Sequence, residues 1–126
     1  MIISVLIPCF NEKDTIEEIV NRINDLKNIN TEIIIIDDFS NDGTTEILKE
    51  KINHKVSKII FNETNSGKGY CIKKGIEIAQ GEIILIQDAD LEYDPKEYYK
   101  LTKPIIDGNA EVVYGSRFIG GDERRI

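Results

Sequence analysis

Residues Ile83–Ile86 form a short run of apolar side chains without polar alternation, inside the stretch GEIILIQDADLEYDP at Gly81–Pro95. Such a run indicates a strand buried on both faces, which is typical of the centre of a parallel sheet. Asp88 and Asp90 follow it directly and flank the small Ala89. Asp is common in turns, so a structural role alone would explain both residues without a ligand. Two carboxylates placed in this way also suit Mg²⁺, which is commonly held by one or two carboxylates together with substrate phosphates.

Strands and helices alternate along the rest of the chain. Apolar runs predict further strands at Ile2–Ile7, which Pro8 should end, and at Glu32–Ile36, Val56–Phe61 and Glu111–Tyr114. Helical spacing and end signals predict helices from a capping box at Asp14 and Glu17 to Leu26, at Thr44–Lys51, at Gly69–Ala79 with Gly81 as the stop, and from Pro95 to Pro104. The alternation predicts an α/β fold with a mostly parallel sheet of strand order 3-2-1-4 and helices on both faces.

Polar clusters follow three of the predicted strands at the point where each strand ends. They are Pro8–Glu12, Asp37–Asp38 and Asp88–Glu92. In the predicted strand order, the carboxyl ends of these strands meet at a topological switch point, where sheets of this kind bind ligands. We therefore expect the three clusters to line one crevice.

Composition narrows the range of partners. The chain has 126 residues, which suits one domain, and a formal net charge of −7 with a pI near 4.8 argues against nucleic acid or an anionic membrane as a general partner. Cys9 and Cys71 lack the paired spacing of a zinc site, so we expect two reduced thiols in a cytoplasmic protein. No apolar run approaches the roughly 20 residues of a membrane span.

Several nucleotide-binding and phosphate-handling classes can be compared with these residues. The loop after the first strand has no Gly-x-Gly-x-x-Gly, which argues against a dinucleotide-binding domain. The stretch Ser66–Gly69 lacks the upstream glycine and the trailing Ser or Thr of a P-loop, which argues against that class as well. A hydrolase with an Asp88 nucleophile and Asp90 as acid remains open. A non-enzymatic response-regulator domain is a further alternative, although it needs an acidic pair where this chain has Asn11 and Glu12.

Taken together, five motifs resemble those of family 2 glycosyltransferases, and most closely those of polyprenyl-phosphate sugar transferases such as the dolichol-phosphate mannose synthases. In chain order they are Pro8-Cys9-Phe10-Asn11-Glu12, Asp37-Asp38 with Ser40-Asn41-Asp42-Gly43-Thr44, Asn65-Ser66-Gly67-Lys68-Gly69, Asp88-Ala89-Asp90, and Gly115-Ser116-Arg117-Phe118. The resemblance implies a Rossmann-like GT-A fold. It also implies that a UDP- or GDP-linked sugar and Mg²⁺ or Mn²⁺ bind, and that the sugar is transferred with inversion.

The resemblance assigns roles to individual residues. Asp88 and Asp90 match the metal-binding motif, and Glu92 stands where some relatives use Gln as a further ligand. Asp90, through the metal, and Arg117 are the expected catalytic residues, because both would stabilise charge on the departing diphosphate. The expected nucleotide-binding residues, with Phe10 where the family commonly has Tyr, are Pro8, Phe10, Glu12, Ile36, Asp38, Lys68, Asp88 and Ala89.

The acceptor is less defined than the donor. A phosphate monoester is already an adequate nucleophile, whereas a sugar hydroxyl usually needs a carboxylate base, and no residue here is a convincing base. We expect a polyprenyl phosphate acceptor, with a saccharide acceptor as the alternative. We also expect residues 1–126 to form a single nucleotide-sugar-binding domain truncated at its C-terminal end, able to self-associate, with peripheral attachment to the cytoplasmic membrane face left open.

Overall fold

A computed structural model describes residues 2–89 and 94–99, and the backbone of residues 112–114. Within these residues five parallel strands form one sheet of order β3-β2-β1-β4-β5, which confirms the predicted order 3-2-1-4. β1 lies at the centre and pairs with both β2 and β4. The strands are β1 Ile2–Cys9, β2 Asn30–Asp37, β3 Lys58–Phe61, β4 Ile83–Ile86 and β5 Val112–Tyr114.

Helices connect the strands and cover both faces of the sheet, as predicted. They are α1 Ile16–Asn24, α2 Thr44–Ile47 and α3 Lys68–Ile78, and α2 continues as a π-helical turn at Leu48–Ile52 and a 3₁₀ turn at Asn53–Lys55. That extra turn is why β3 begins at Lys58 instead of the predicted Val56. Pro95–Glu97 is a 3₁₀ turn that continues as helix at Tyr98 and Tyr99, and the rest of the predicted helix to Pro104 lies outside the described residues. No helix in the described part of the chain has the length and apolarity to cross a bilayer.

Two apolar clusters sandwich the sheet. Because successive side chains of a strand point to opposite faces, neighbouring apolar residues enter different clusters. One cluster joins strand residues such as Val5, Ile35 and Leu85 to α1 and to the helical segment after β2. The other joins strand residues such as Leu6 and Ile34 to α3. Burial on both faces explains why the strands read as uninterrupted apolar runs.

The start of α1 differs from the prediction. The capping box at Asp14 and Glu17 is not formed, because the helix begins at Ile16 with Thr15 at the cap position. The main-chain carbonyl of Glu12 accepts hydrogen bonds from the N–H groups of Thr15 and Ile16, at 3.1 and 3.0 Å. The Thr15 hydroxyl is not used on its own helix and instead contacts Ala89, on the other side of the site.

Pro8 does not end β1, which continues to Cys9 and pairs with β2 through its last residue. The Pro8 nitrogen points to the same side as that of Leu6, which is the β4 side. The paired residues of β4 end at Ile86, opposite Leu6, so the missing N–H of Pro8 costs no ladder hydrogen bond.

Gly81 does not act as a left-handed helix stop. α3 ends at Ile78 with Ala79 in an extended conformation. A Cβ atom at Gly81 would lie 2.6 Å from the Ile2 carbonyl oxygen and 2.6 Å from Ser4 Oγ, which accepts the Gly81 N–H at 2.8 Å. Gly81 is therefore needed because the chain passes directly against the backbone of β1.

The two glycines at either end of α3 provide a matched test of this close approach. We expect Gly81→Ala to lower the free energy of unfolding by about 1–3 kcal/mol, because backbone must move to admit the methyl group. Gly69→Ala has open space around its Cβ and should raise the free energy of unfolding by up to about 1 kcal/mol through helix propensity. Urea unfolding followed by circular dichroism measures both. Equal stability of Gly81→Ala and the parent would contradict the close approach.

Candidate functional site

The polar loops that follow β1, β2 and β4 converge at the carboxyl edge of the sheet, together with the start of α3. They enclose a cavity of about 190 Å³. Its lining brings together seven of the eight residues predicted to bind nucleotide, and adds two cysteines. The lining residues are Pro8, Cys9, Phe10, Glu12, Asp38, Lys68, Cys71, Asp88 and Ala89.

Ile36 is the predicted nucleotide-binding residue that does not line the cavity. Its side chain is fully buried in the apolar cluster beneath α3, and the Ile36 Cδ1 atom lies close to Gly75 of that helix. Any contact of Ile36 with a base would have to involve its main chain. That contact stays a prediction.

Asp38 is buried and accepts hydrogen bonds from the loop that precedes α3. Its Oδ1 atom accepts from the Ser66 N–H at 2.8 Å and from Asn62 Nδ2 at 2.9 Å, and its Oδ2 atom accepts from the Gly67 N–H at 2.9 Å. Burial alone would raise the pKa of this carboxyl, but the hydrogen bonds from Ser66, Asn62 and Gly67 outweigh burial and hold the pKa below its ordinary value. Asp38 is therefore an ionised anchor for this loop. The predicted contact of Asp38 with a base stays a prediction.

The anchored loop determines where α3 begins. Gly67 is the cap residue with φ of +96°, a conformation that favours glycine, and Lys68 is the first helical residue. From this position Lys68 Nζ donates to Asp88 Oδ1 at 2.5 Å, which forms an ion pair across the cavity. The Lys68 and Asp88 side chains are 33% and 12% exposed, so the pair lies at the border between protein and solvent.

Asp88 and Ala89 are held in place from both sides of the turn after β4. Gln87 is buried, and its Nε2 atom donates to the Asp88 carbonyl at 3.0 Å while its Oε1 atom accepts from the Tyr98 hydroxyl at 2.7 Å. The Thr15 hydroxyl donates to the Ala89 carbonyl at 2.5 Å. The main chain at Asp88 and Ala89 is thus held by the side chains of Gln87 and Thr15, and Tyr98 supports Gln87.

The acidic turn can accept a cation. The Lys68 ammonium already occupies a cation position beside Asp88, which shows that positive charge fits there. Within residues 2–89 and 94–99 no group of three or more Asp, Glu, His or Cys side chains is arranged to hold a metal ion. The predicted ligands Asp90 and Glu92 and the predicted catalytic residue Arg117 lie outside the described residues.

The turn after β2 is held by Asp37. Its carboxylate accepts from the Ser40 hydroxyl at 2.6 Å and from the Thr45 hydroxyl at 2.5 Å, so this residue organises the turn. Phe39, within that turn, has φ of +65°, an unfavourable conformation for a residue other than glycine. Ser40 in turn accepts the Asn11 N–H at 3.0 Å and links the loops after β1 and β2.

Sequence reasoning missed Thr15, Asn62 and the two cysteines. Asn62 directly follows the apolar residues of β3, and its position at a strand end was a usable signal, whereas no sequence pattern indicated the contact between Thr15 and Ala89.

Burial, followed by the charge of Asp38, raises the pKa of Cys71 to about 11, and burial also raises the pKa of Cys9. Both thiols therefore stay protonated at neutral pH and are poor nucleophiles or metal ligands.

The Asp38 anchor predicts a pH dependence of stability. Its folded pKa lies below the unfolded value of about 3.9, so its contribution is present above that pH and is lost as pH falls through the folded pKa. We expect Asp38→Asn to be less stable than the parent by about 1–3 kcal/mol near neutral pH, because buried N–H donors lose a charged acceptor. The difference should shrink below about pH 4.

Urea unfolding across this pH range measures the effect. Glu32 and Asp42, whose pKa values are also lowered, are present in both proteins, so the difference isolates Asp38. The exposed Asp14→Asn provides a control with the same charge change. A parent-to-variant difference that stays constant from neutral pH to about pH 3 would exclude the anchor role.

Residues 4–126 match the protein family described as glycosyl transferase family 2. The chain is 34% identical over 122 residues to a dolichol-phosphate mannosyltransferase of Pyrococcus furiosus, which covers 96% of this chain and 34% of that protein.

Two solved structures share the fold. Residues 1–349 of S. aureus TarS in complex with UDP-GlcNAc are similar with a TM-score of 0.69 and 31% identity, over 86% of this chain and 32% of that chain. The mannosyltransferase PcManGT from Pyrobaculum calidifontis in complex with GDP-Man and Mn²⁺ is similar with a TM-score of 0.63 and 26% identity, over 70% of this chain and 27% of that chain. The chain spans about a third of the length of these relatives.

Proposed function

Because the chain belongs to glycosyl transferase family 2, we propose that its cavity binds the nucleotide diphosphate of a UDP- or GDP-linked sugar as the donor for sugar transfer. The observation that carries the proposal is the convergence of seven predicted residues around one cavity at the carboxyl edge of a parallel sheet. TarS binds UDP-GlcNAc and PcManGT binds GDP-Man, which supports a donor of this class. Family membership also favours this function over a phosphoacceptor signalling domain or a hydrolase.

In this proposal, different residues of the chain contact the nucleoside, the base and the diphosphate of the donor. Phe10 is 45% exposed and lines the cavity, so its ring offers an apolar surface to the nucleoside beside Pro8 and Glu12. Asp38 lies deeper and meets the base. Lys68 extends from the first turn of α3 and, with Arg117, binds the diphosphate, for which a guanidinium fork is well suited.

Asp88, Asp90 and Glu92 would hold Mg²⁺ or Mn²⁺ in this proposal. When bound, the cation neutralises the negative charge that develops on the departing nucleoside diphosphate. PcManGT in complex with Mn²⁺ supports a metal of this kind. The main chain of Asp88 is held in position for this task by the buried pair of Gln87 and Tyr98.

We propose a polyprenyl phosphate as the acceptor. One phosphate oxygen forms a bond to the anomeric carbon while the bond from that carbon to the donor diphosphate breaks, and the bonding electron pair leaves with the nucleoside diphosphate. Attack from the side opposite the leaving group inverts the configuration. An ionised phosphate has no proton to lose, so the step needs no base, and the mannosyltransferase from Pyrococcus furiosus supports a lipid-phosphate acceptor.

We also propose that donor binding and acceptor binding belong to different parts of a longer chain. Residues 1–126 would form one donor-binding domain, and the acceptor site would be built by sequence corresponding to the remaining length of the relatives. An acceptor carried by a lipid would bring the protein to the cytoplasmic membrane face. Any apolar surface that such sequence covers would favour self-association of these residues alone.

Donor binding can be measured by thermal unfolding. We expect UDP or GDP with Mn²⁺ to raise the melting temperature, because a ligand at a hundredfold excess over its Kd stabilises the native state by about 2.7 kcal/mol. Asp88→Asn should lose the metal-dependent part of the shift, whereas Glu77→Gln, on an exposed part of α3, should keep it. The absence of a shift with every nucleotide tested would refute the proposed function.

Sugar transfer can be measured separately from binding. We expect the 126-residue chain to bind donor but to form sugar-lipid slowly or not at all, because holding both reactants in register supplies on the order of 7–11 kcal/mol in favourable cases. The assay offers UDP-glucose or GDP-mannose, a polyprenyl phosphate and Mg²⁺ or Mn²⁺, and follows sugar-lipid formation and donor hydrolysis. Rapid formation of sugar-lipid would place the acceptor site within these residues and contradict the division proposed above.

A further inference from the structure

We propose that Lys68 is a displaceable counter-ion of the metal-binding carboxylate Asp88, and that it couples metal binding to diphosphate binding. The inference rests on the proposed function and deepens it. In the nucleotide-free chain the Lys68 ammonium neutralises Asp88. When metal and nucleoside diphosphate enter together, the metal takes the carboxylate and Lys68 moves to the phosphates.

The geometry puts the Lys68 ammonium where a metal ion would bind. Lys68 Nζ lies 2.5 Å from Asp88 Oδ1, and both residues line the cavity. Mg²⁺ binds a carboxylate oxygen at about 2.0–2.1 Å. An ammonium and a divalent cation on the same oxygen would repel each other strongly, so a metal ion bound through Oδ1 must displace Lys68.

The charges around the cavity show why Lys68 occupies this position. The described lining residues include three carboxylates, those of Glu12, Asp38 and Asp88, and one cationic side chain, that of Lys68. Asp38 accepts hydrogen bonds from two main-chain N–H groups and from the Asn62 amide. The Lys68 ammonium is paired with Asp88.

The Lys68 side chain can move while its main chain stays in place. Its main chain is fixed, because the preceding Gly67 donates its N–H to Asp38, but its side chain is a flexible four-carbon stem that is 33% exposed. The ammonium can therefore leave Asp88 without any change in α3. A diphosphate in the same cavity gives it a second anionic partner within reach of the same stem.

Coupling follows from this exchange. Metal alone has to break the ion pair between Lys68 and Asp88, whereas a nucleoside diphosphate that binds with the metal gives the ammonium a new anionic partner. Each ligand therefore raises the affinity for the other, by the same factor in both directions. Removing the ammonium should increase the affinity for metal alone and reduce the coupling.

The test compares Mn²⁺ binding to the parent and to Lys68→Met by calorimetry, first without nucleotide and then with UDP or GDP. Lys68→Met should bind Mn²⁺ alone more tightly, on the order of two- to tenfold, because a partly exposed ion pair no longer competes. It should bind the nucleoside diphosphate more weakly, and the factor by which nucleotide raises Mn²⁺ affinity should fall. Lys68→Arg, which keeps the positive charge, should not gain affinity for Mn²⁺ alone.

Lys73→Met is the matched control, since it removes the same charge from an exposed position on the same helix. A gain in Mn²⁺ affinity equal to that of Lys68→Met would show a general charge effect and overturn the inference. Unchanged or weaker Mn²⁺ binding by Lys68→Met would overturn it as well. If the parent binds Mn²⁺ but no nucleotide, the proposed function fails while the comparison of Mn²⁺ affinities still tests the ion exchange.

A measurement on the unsubstituted chain covers the case in which Lys68→Met does not fold. Nuclear magnetic resonance of the lysine Cε groups should show the Lys68 signal shifting when Mg²⁺ is added. The signal should shift to a different position when UDP or GDP is added with Mg²⁺. A Lys68 signal that does not respond to saturating Mg²⁺ would overturn the inference.

Discussion

The hydrogen bonds between the Asp38 carboxylate and the N–H groups of Ser66 and Gly67 connect the sheet to the start of α3. They place a negative charge at the N-terminal end of that helix, where the helix dipole favours it. They also set the position of the first helical residue, Lys68, and therefore the point from which its side chain reaches Asp88. One buried carboxylate after β2 thus sets the start of the helix whose lysine pairs with a second carboxylate after β4, on the other side of β1.

Other loops at the two ends of the sheet are also held by contacts between residues that are distant in sequence. Thr15 reaches across 74 positions to the Ala89 carbonyl, and Ser4 at the opposite end of the sheet receives the N–H of Gly81. Tyr98 supports Gln87 from a segment that follows β4. Because each loop is held by another, the cavity is largely formed before any ligand enters, which lowers the ordering cost of binding.

These contacts also explain what could be predicted from the sequence. Runs buried on both faces identified the strands, and strand ends identified the loops that line the cavity, because both depend on local patterns. The capping box at Asp14 is not formed because the Glu12 carbonyl accepts the N–H groups of Thr15 and Ile16, while the Thr15 hydroxyl bonds to the loop after β4. Asn62 was missed because its importance depends on Asp38, 24 positions earlier, and local spacing does not report such pairs.

Asp38 and Asp88 carry the same functional group, follow the two strands that flank β1 and line the same cavity, yet their partners differ in kind. The hydrogen bonds that Asp38 accepts come from donors that belong to the fold, so breaking them would disrupt the loop before α3. The partner of Asp88 is the end of a flexible side chain, which can leave without disturbing the fold. The difference between a structural carboxylate and an exchangeable one therefore lies in whether its partner is main chain or a mobile cation.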